Sequence, residues 1–434
     1  MAPQSRERGS RDVIEIAEPA VVRRASKDDA AGKRPEAGAA SPDGIAVDDA
    51  RLMPLADIAV APWRALAERA IEPNGYYLPD WELAVNALAT GRTGASALSA
   101  WSETPLVPDG AARLIGLLPV ISMWRAYKVP LPALASASPY GTLCTPLLDR
   151  ETAGDAVNRM MAQARSTGAR ALILRDVSLN GAAMKAIADV LRPSGMRPRV
   201  LQSHVRACLD ARCDADELLR NALGGKKLKE LRRQRNRLAQ HGVVRFDVAR
   251  TPEAVAVAVE TFMALEASGW KARRGTALKQ DDGDAGFIRR ATTGLANTGQ
   301  CEIVTLHAGE TPVAAAIVLR HQDRAFYFKL GVDERFAKFS PGVQLTLELT
   351  RHLCADATIA TADSTASAEH PMINPIWRGR LKIGDVLIPL RPRDPMVSLI
   401  HAALATRRLV REFARRAVHL IRDIKSSRTR SPKS

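Results

Sequence analysis

Residues 301–353 read CEIVTLHAGETPVAAAIVLRHQDRAFYFKLGVDERFAKFSPGVQLTLELTRHL and contain three apolar runs separated by short polar turns. The turns hold Gly, Pro or Asp, and the runs have the length and side chains typical of strands. The predicted strands are Cys301–His307, Val313–His321 and Ala325–Val332. After the loop that follows, apolar spacing of three and four residues predicts a helix over Val343–Leu353. This stretch therefore predicts an antiparallel meander followed by a helix.

Further elements are predicted on both sides of the meander. Before it we expect a strand and two helices, at Val243–Ala249, Pro252–Glu266 and Asp284–Ala296. After it we expect a strand, a short helix and a last strand, at Thr358–Asp363, Met372–Arg380 and Asp385–Leu390. The order is β-α-α-β-β-β-α-β-α-β, which places the chain in the α/β class with mixed, partly antiparallel sheets.

The region from 51 to 213 repeats this order more loosely, without detectable sequence repetition. It predicts helices and strands that include Glu151–Ser166, Arg170–Val177, Gly181–Leu191 and Arg199–Leu209. We therefore predict two similar domains in tandem with connecting and terminal segments. The boundaries are a disordered leader 1–50, a domain 51–213, a basic helical connector 214–241 that bends at Gly224-Gly225, a domain 242–392, and a basic amphipathic tail 393–434.

The net charge of the 434 residues is +16, and it is concentrated in two segments. Residues 220–240 hold eight basic residues and one acidic residue, and residues 391–434 hold twelve and three. Residues 51–219 and 241–390, which make up most of the rest of the chain, are nearly neutral. This distribution argues against a protein whose whole surface binds nucleic acid.

The sequence predicts a soluble, cytoplasmic protein without a metal site. Its five cysteines are odd in number, and they form no CxxC pair. The first 20 residues lack the apolar core of a secretory signal. The longest uncharged run, Val129 to Leu148, contains four prolines and a glycine, which exclude a membrane-spanning helix there.

The element order from 243 to 390 resembles that of the GNAT acyltransferase superfamily. Three segments carry a narrower resemblance: LEASGWKARRGTAL (265–278), FYFKLGVDERFAKFSPG (326–342) and DSTASAEHPMINPIWRGRLKIGD (363–385). They are similar to a bacterial branch whose members are associated with cellulose or other exopolysaccharide biosynthesis. The resemblance covers 225–390, and it extends to the preceding domain as the first half of a tandem, Fem-like arrangement.

The resemblance implies acetyl-CoA or another acyl-CoA as co-substrate, bound where two neighbouring strands part. Its pyrophosphate would lie at the start of the helix after the fourth strand, near Ser340, Gly342 and Val343, because helix starts bind anions. Ser340 is expected to cap this helix. Backbone N–H groups near Gly331 and Val332 would stabilise the thioester oxyanion. The loop RFAKFSPG departs from the family's glycine-rich phosphate motif, so an aminoacyl-tRNA donor, as in the Fem branch, remains an alternative.

An attacking amine must lose a proton, and three residues are candidates for assisting this step. Glu266 ends the first helix of the second domain, Asp363 ends a strand, and His370 lies in the loop beyond it. Each also has a structural interpretation: Glu266 as the end of its helix, Asp363 as a turn cap, and His370 as a structural or exposed side chain.

Cationic and aromatic residues near these candidates are predicted to bind substrate. Trp270, Lys271 and Arg274 follow Glu266 in a loop, where they suit a sugar face, an adenine or an anionic group. The alternative is that Trp270 packs between the domains. Lys329 is expected to face the cleft or the sheet core, paired with Asp333.

Each basic segment has more than one interpretation. The connector is a solvated helix face, a cationic wall for phosphates of CoA, nucleotide-sugar or tRNA, or a lipid contact. Its leucines, Leu228, Leu231 and Leu238, are expected to pack inward. The tail over 395–424 intersperses arginines with apolar residues and suits the surface of an anionic membrane, as a peripheral contact at the inner face. Neither segment has the interleaved aromatics of single-strand nucleic-acid binders, so nucleic acid is not the expected partner.

Together these observations predict an acyl-CoA-dependent N-acyltransferase, without a covalent enzyme intermediate. Its acceptor would be an amine of a sugar, polysaccharide or envelope precursor. One alternative is a Fem-type transferase that uses aminoacyl-tRNA. The other is a non-catalytic accessory protein of a polysaccharide synthesis system.

Overall fold

The computed structural model describes residues 52–102, 112–269 and 275–428 of the chain. In this part the chain forms thirteen strands of one sheet. In chain order they are β1 Met53–Pro54, β2 Ser96–Trp101, β3 Leu114–Ser122, β4 Ala133–Ser136, β5 Leu147–Leu148, β6 Ala171–Ser178, β7 Arg199–Asp210, β8 Val244–Ala249, β9 Cys301–Ala308, β10 Thr311–His321, β11 Arg324–Val332, β12 Thr361–Asp363 and β13 Gly379–Pro389.

Helices cover both faces of this sheet. In chain order those of the described residues are α1 Val60–Glu68, α2 Pro79–Leu88, α3 Met123–Tyr127, α4 Ala153–Ser166, α5 Ala182–Leu191, α6 Ala215–Leu238, α7 Pro252–Ser268, α8 Asp282–Ala296, α9 Pro341–Cys354 and α10 Pro395–Arg428. The predicted mixed α/β class is confirmed.

The strand order is β1-β2-β3-β4-β6-β13-β7-β12-β11-β10-β9-β8, with the short β5 beside β3. From either edge the pairing runs antiparallel three times, parallel once (β4 with β6, β12 with β11), and then antiparallel to the centre. The predicted duplication of architecture is therefore visible as a repeated pairing pattern.

The two central strands are exchanged between the halves of the chain. β7 follows the first set of elements but pairs with β12 of the second set, whereas β13 ends the second set and pairs with β6 of the first. β7 and β13 also pair with each other along most of their length, from Gly379 opposite Cys208 to Leu387 opposite Arg199. On one side this antiparallel pair borders β6 of the first half, and on the other side it borders β12 of the second half. The pair therefore joins the two halves into one sheet.

Aromatic side chains form a buried contact between the two halves on one face of the sheet. Tyr76, from the first half, is fully buried, and its ring lies 5.8 Å from that of Phe326 on β11 and 5.6 Å from that of Trp81. The ring planes meet at steep angles, in the edge-to-face geometry that aromatic pairs favour. Although aromatic residues make up only 4% of the chain, they are concentrated where the halves meet.

The connector helix α6 has the predicted bend. Gly224 lies in the left-handed region with φ of 71°, which glycine adopts without steric cost, and it separates two helical stretches. Asp214 caps the first stretch by accepting the Glu217 N–H at 2.7 Å. Leu231 and Leu238 are buried and Leu228 is half-buried, so the leucines of the second stretch pack inward as predicted.

Several predicted elements are corrected by the structure. The expected helix over Met372–Arg380 is absent, and residues 371–376 form turns instead, because Pro371 and Pro375 remove backbone donors. β13 starts at Gly379, earlier than the strand predicted over Asp385–Leu390. Strands β2 and β4 were not predicted, since both are short and composed largely of Ala and Ser. The leader 1–50 lies outside the described residues.

His321, at the end of β10, connects the halves through a buried neutral imidazole. Its Nδ1 accepts the Asn74 N–H at 2.8 Å, and its Nε2 lies 2.9 Å from the Ala67 carbonyl oxygen. Nε2 therefore carries the proton. Burial lowers the pKa of His321 from 6.5 to about 4, because the charged form would lose its hydration and Nδ1 would lose its acceptor function.

This contact predicts acid sensitivity of the fold. Because the folded-state pKa lies below the unfolded-state value, His321 contributes stability above pH 6.5 and loses it as the pH falls toward 4. The loss between pH 6.5 and 5 should be about 2 kcal/mol, at roughly 1.4 kcal/mol per pH unit. Urea unfolding at a series of pH values measures it.

The matched control is a second histidine. His321→Gln should be less stable than the wild type at pH 7.5 but should lose less stability on acidification, whereas the variant His401→Gln in α10 should keep the wild-type slope. Equal pH slopes for the wild type and His321→Gln would contradict this assignment.

Candidate active site

The two parallel strands β11 and β12 part after three residue pairs. Arg324, Ala325 and Phe326 pair with Thr361, Ala362 and Asp363. Beyond this point β11 continues to Val332 beside β10, while the chain after Asp363 turns away. Among the strands that the structure describes, none therefore pairs with this edge of β11 beyond Phe326, and its backbone N–H and C=O groups can pair with an extended ligand.

A β-bulge lies at the point where the strands part. Ile317 on β10 is opposite Lys329 and Val318 is opposite Tyr327, so Phe328 is an extra residue on β11. A bulge bends its strand and redirects the following side chains, and bulges are frequent beside active sites. Here it directs the end of β11 away from β12.

Gly331 is required at this position by the packing of α7 on β11. A Cβ atom on Gly331 would lie 2.9 Å from the Glu266 nitrogen and 3.0 Å from the Phe262 carbonyl oxygen, closer than real Cβ contacts. The absence of a side chain thus lets the end of α7 approach the open part of β11.

The start of α9 lies beside the same open part of β11. A Cβ on Gly342 would lie 3.0 Å from Leu330 Cδ2 and 3.2 Å from Val332 Cγ2. Gly342 and Val343 follow Pro341 in the first turn, where backbone N–H groups have no acceptor within the helix. The structure therefore brings Gly331, Val332, Gly342 and Val343 together at the cleft.

Ser340 does not cap α9 in the predicted way. Its backbone is left-handed, with φ of 52°, and its side chain makes no capping hydrogen bond. Its carbonyl oxygen instead accepts the Gln344 N–H at 3.0 Å. The prediction of a serine cap was wrong because it assumed an extended backbone at this residue.

The basic connector α6 packs along the start of α9. Gln344 donates from Nε2 to the Leu231 carbonyl oxygen at 2.8 Å, and Arg235 pairs with Glu348 at 2.9 Å. Five other cations of this stretch are exposed, and the contacts of the described residues give them no carboxylate partner. They are Lys226, Lys229, Arg232, Arg233 and Arg237.

Lys329 and Glu266 form an ion pair at the wall of the cleft. Lys329 Nζ lies 3.5 Å from Glu266 Oε1, and Glu266 Oε2 accepts the Leu278 N–H at 3.0 Å. Glu266 is buried, so these contacts hold its carboxylate in place. The expected pair of Lys329 with Asp333 was wrong: Asp333 instead forms a two-pronged pair with Arg335 at 2.7 Å.

A loop from the first half of the chain reaches this ion pair. Tyr140 has a left-handed backbone, with φ of 64°, and its ring centroid lies 5.5 Å from Lys329 Nζ and 4.2 Å from the Arg92 guanidinium. Its hydroxyl donates to Asp284 Oδ2 at 2.6 Å, and burial together with this carboxylate raises the pKa of Tyr140. The sequence signal was Pro139-Tyr140-Gly141, which lies in the uncharged run Val129 to Leu148 and was considered there only as evidence against a membrane-spanning helix.

Asp363 is held in a buried network that also includes the first half. Its Oδ2 pairs at 2.5 Å with Arg206 on β7, and both side chains are almost fully buried. Its Oδ1 accepts the Thr365 N–H at 2.9 Å, which is the turn-capping contact considered for it. Arg206 also donates to the carbonyl oxygen of Thr142, beside Tyr140, at 2.7 Å. Both oxygens of Asp363 are therefore engaged by the protein.

His370 lies in the turn after this network. Its Nδ1 accepts the Met372 N–H at 3.3 Å, and its side chain is half-buried. The same turn reaches α9, because Met372 Sδ lies 3.5 Å from the Cβ position of Gly342. Trp270, Lys271 and Arg274 lie outside the described residues.

Metal binding, membrane spanning and a cysteine nucleophile are not supported by the described residues. Within ranges 52–102, 112–269 and 275–428, no three His, Cys, Asp or Glu side chains are grouped so that they could hold a metal ion. In the same part of the chain, no helix has the length and apolar content needed to cross a bilayer. Burial raises the pKa of the Cys301 thiol, and that of Cys354 to about 11, so neither has the thiolate character of a nucleophile.

Comparisons with known proteins support the assignment of the fold. The family model described as an acetyltransferase (GNAT) domain matches residues 225–370. Among solved structures, FemX is similar with a TM-score of 0.50 at 13% identity, over 79% of this chain and 98% of FemX. A comparison with curated protein sequences found no match. The chain therefore has a GNAT-type acyltransferase fold.

Two other solved structures align over similar lengths with lower scores. One is the C-terminal domain of a lysylphosphatidylglycerol synthetase from Agrobacterium fabrum, with a TM-score of 0.45 and 13% identity over 80% of this chain and 95% of that one. The other is a tandem GNAT protein from the clavulanic acid biosynthesis pathway, with a TM-score of 0.37 and 15% identity over 79% and 99%.

The network around Asp363 predicts a structural effect of its substitution. Asp363→Asn leaves the Arg206 guanidinium buried without a counter-charge, so we expect a loss of about 3–5 kcal/mol in the free energy of unfolding. Chemical denaturation measures the loss. The exposed pair of Asp210 and Arg212 gives the control, because Asp210→Asn should change stability little.

The double variant Arg206→Met with Asp363→Leu removes both charges and should recover part of the stability. If Asp363→Asn instead keeps full stability and abolishes acyl transfer, then the carboxylate acts on substrate and the anchoring function is refuted.

Proposed function

We propose that the chain is an acyl-CoA-dependent N-acyltransferase whose second half binds the donor. The observation that supports this proposal best is the parting of β11 from β12 beside the first turn of α9. An extended acyl-pantetheine arm would pair with the free edge of β11, and the pyrophosphate would meet the first N–H groups of α9. The GNAT-domain match over residues 225–370 supports a transferase.

The connector α6 supplies the positive charge that such a donor needs. Its exposed cations lie on the helix that packs against the start of α9, where Gln344 and Leu231 join the two helices. Arg232 and Arg233 follow Leu231 directly. Phosphate groups at the helix start would therefore face both the helix dipole and nearby guanidinium groups.

The described residues of the first half offer no comparable donor site. Its corresponding strands are β4 and β6, and the helix that follows β4 is α4. Asp149 and Glu151 directly precede this helix, and Asp149 is fully buried with Arg69 at 2.9 Å and Arg113 at 3.2 Å. The Asp149 carboxylate, which also accepts the Glu151 N–H at 3.0 Å, already engages the arginines and the backbone donor that a phosphate would need at this helix start. The first half instead contributes Tyr140 to the cleft of the second.

The proposed reaction is direct attack of an amine on the thioester carbon. The carbon–nitrogen bond forms, the carbon–sulfur bond breaks, and the amine proton passes through a carboxylate, histidine or water to the leaving thiolate. A lysine-like amine has a pKa of about 10.4, so it needs such assistance at neutral pH. Glu266, whose Oε1 lies 3.5 Å from Nζ of Lys329 on β11, is the first candidate for this step, and His370 is the second. N–H groups near Gly331 and Val332 would receive the oxyanion.

The acceptor is proposed to be an amine of a sugar, polysaccharide or envelope precursor. The support is the resemblance of segments 265–278, 326–342 and 363–385 to the exopolysaccharide-associated branch. The polar wall formed by Lys329, Tyr140 and Arg92 suits a hydroxyl-rich acceptor, since it offers donors and an aromatic ring together.

The second candidate is an aminoacyl-tRNA donor, as in a Fem-type transferase. The row of exposed cations on α6 favours it, because a phosphodiester backbone needs several positive charges along one surface. The fold similarity to FemX is compatible with either donor.

Ligand binding distinguishes these functions. Acetyl-CoA or a longer acyl-CoA should stabilise the protein by about 2.7 kcal/mol at a hundredfold excess over Kd, which a thermal-shift assay detects. Arg232→Glu with Arg233→Glu should reduce the shift. The control pair Lys185→Glu with Arg290→Glu makes the same charge change on other exposed helices and should retain it.

Absence of a shift with all acyl-CoAs refutes the main proposal. Salt-sensitive tRNA binding that the same charge reversal abolishes would then establish the second candidate. If neither acyl-CoA nor tRNA binds, the remaining interpretation is a non-catalytic accessory protein.

We also propose that α10 attaches the protein to an anionic membrane. Val397 and Ile400 bury the start of this helix on the body of the protein, but its outward face is apolar and exposed. Leu409, Val410 and Phe413 have exposed fractions of 52%, 61% and 66%, and arginines occupy adjacent positions of the helix. Apolar residues combined with arginines are typical of interfacial helices.

Vesicle co-sedimentation tests this attachment. The full chain should bind vesicles that contain 30% phosphatidylglycerol and should not bind pure phosphatidylcholine. Val410→Asp with Phe413→Asp should weaken binding at least tenfold, whereas the exposed valines in the control Val243→Asp with Val257→Asp should leave it unchanged. A dimer that the Val410 and Phe413 changes dissociate, without vesicle binding, would show that a second copy covers this face.

A further inference from the structure

Four arginines surround a cavity at the end of β13 where α10 begins. The cavity has a volume of about 480 Å³, and its lining includes Arg197, Arg199, Arg391 and Arg393. The first two come from the chain that enters β7, and the other two from the link between β13 and α10. This volume is sufficient for a small phosphorylated ligand.

Within the described residues, the four guanidinium groups are not paired with a carboxylate. Across the described residues, no hydrogen bond or ion pair joins any of them to a carboxylate. Asp394, the acidic residue of the lining, is engaged elsewhere: Oδ2 pairs with Arg170 at 3.2 Å, and Oδ1 accepts the Met396 N–H at 2.9 Å. The cavity is therefore strongly positive.

We propose that this cavity binds a ligand that carries one or more phosphate groups. Like charges that share one cavity repel each other, and a multiply charged anion converts this repulsion into attraction. The planar fork of a guanidinium group matches two phosphate oxygens, so arginine is better suited than lysine to such a ligand. Four arginines suit a phosphate or diphosphate better than a single carboxylate.

The cavity is separate from the proposed donor site. β13 begins at Gly379, opposite Cys208, which is itself opposite Asp363 beside the cleft. The cavity lies at the other end of β13, at Pro389, ten residues further along. None of the residues that line the cavity belongs to the proposed donor site, and two strands, β7 and β12, lie between β13 and β11, so one small ligand cannot occupy both sites.

Calorimetric titration with inorganic pyrophosphate at physiological ionic strength tests the proposal. Arg197→Gln with Arg391→Gln and Arg393→Gln should weaken binding at least tenfold relative to the charge-matched control. That control is Lys128→Gln with Lys185→Gln and Arg290→Gln, three exposed cations elsewhere. Binding at any other site is common to both variants and cancels in the comparison, and circular dichroism confirms that both remain folded.

A vesicle arm separates a lipid headgroup from a soluble phosphate. It uses full chains that also carry Val410→Asp and Phe413→Asp, so that α10 does not contribute. Weaker pyrophosphate binding in the arginine variant identifies a soluble ligand, and weaker binding to phosphatidylglycerol vesicles alone identifies a headgroup. If the arginine variant and its control behave alike in both arms, the cavity is not a phosphate site and the proposal is overturned.

Discussion

The structure depends on one constraint: buried strand edges must be hydrogen-bonded along their length. β6 and β12, which are the innermost strands of the two halves, would each present such an edge. The exchanged strands β13 and β7 satisfy both edges and pair with each other. A single antiparallel ladder therefore turns two small sheets into one, and the positions of the helices follow from it.

The same ladder places charged groups of one half inside the other. Arg206 lies on β7, so the exchange brings it against Asp363 of β12, and from there it reaches Thr142 in the loop of Tyr140. The exchange thereby gives that loop a buried anchor near β11. The cleft is therefore a product of both halves, although its strands and its helix start come from the second half.

The local elements of this fold could be predicted from the sequence, but the exchange could not. The meander 301–332 and the helix after it have clear periodicity and turn residues, so their positions were correct within a few residues. Periodicity identifies a strand without identifying its neighbours, and nothing in Arg199–Leu209 indicates a partner 150 residues later.

At the cleft, backbone conformation and tertiary packing explain where the expectations from the sequence differ from the structure. Gly331 and Gly342 were predicted as cofactor-binding residues from the resemblance, and the structure shows that neither position has room for a side chain. Lys329 was assigned to Asp333 on the basis of sequence distance, but a contact with Glu266 across the α7 packing interface decided the pairing. Ser340 was assigned as a cap from its residue type, and its left-handed backbone prevented that contact. Side-chain partners across a fold depend on tertiary packing, which residue spacing does not encode.

The exchange also determines when the sheet can be completed during synthesis of the chain. β13 is among the last strands to leave the ribosome, yet it occupies the middle of the sheet. Until residue 389 has emerged, β6 keeps an open apolar edge and β7 has only one neighbour, so the nascent chain exposes surfaces that favour association with other chains. The completed sheet forms only after residue 389 has been synthesised, and neither half is a natural unit for separate expression.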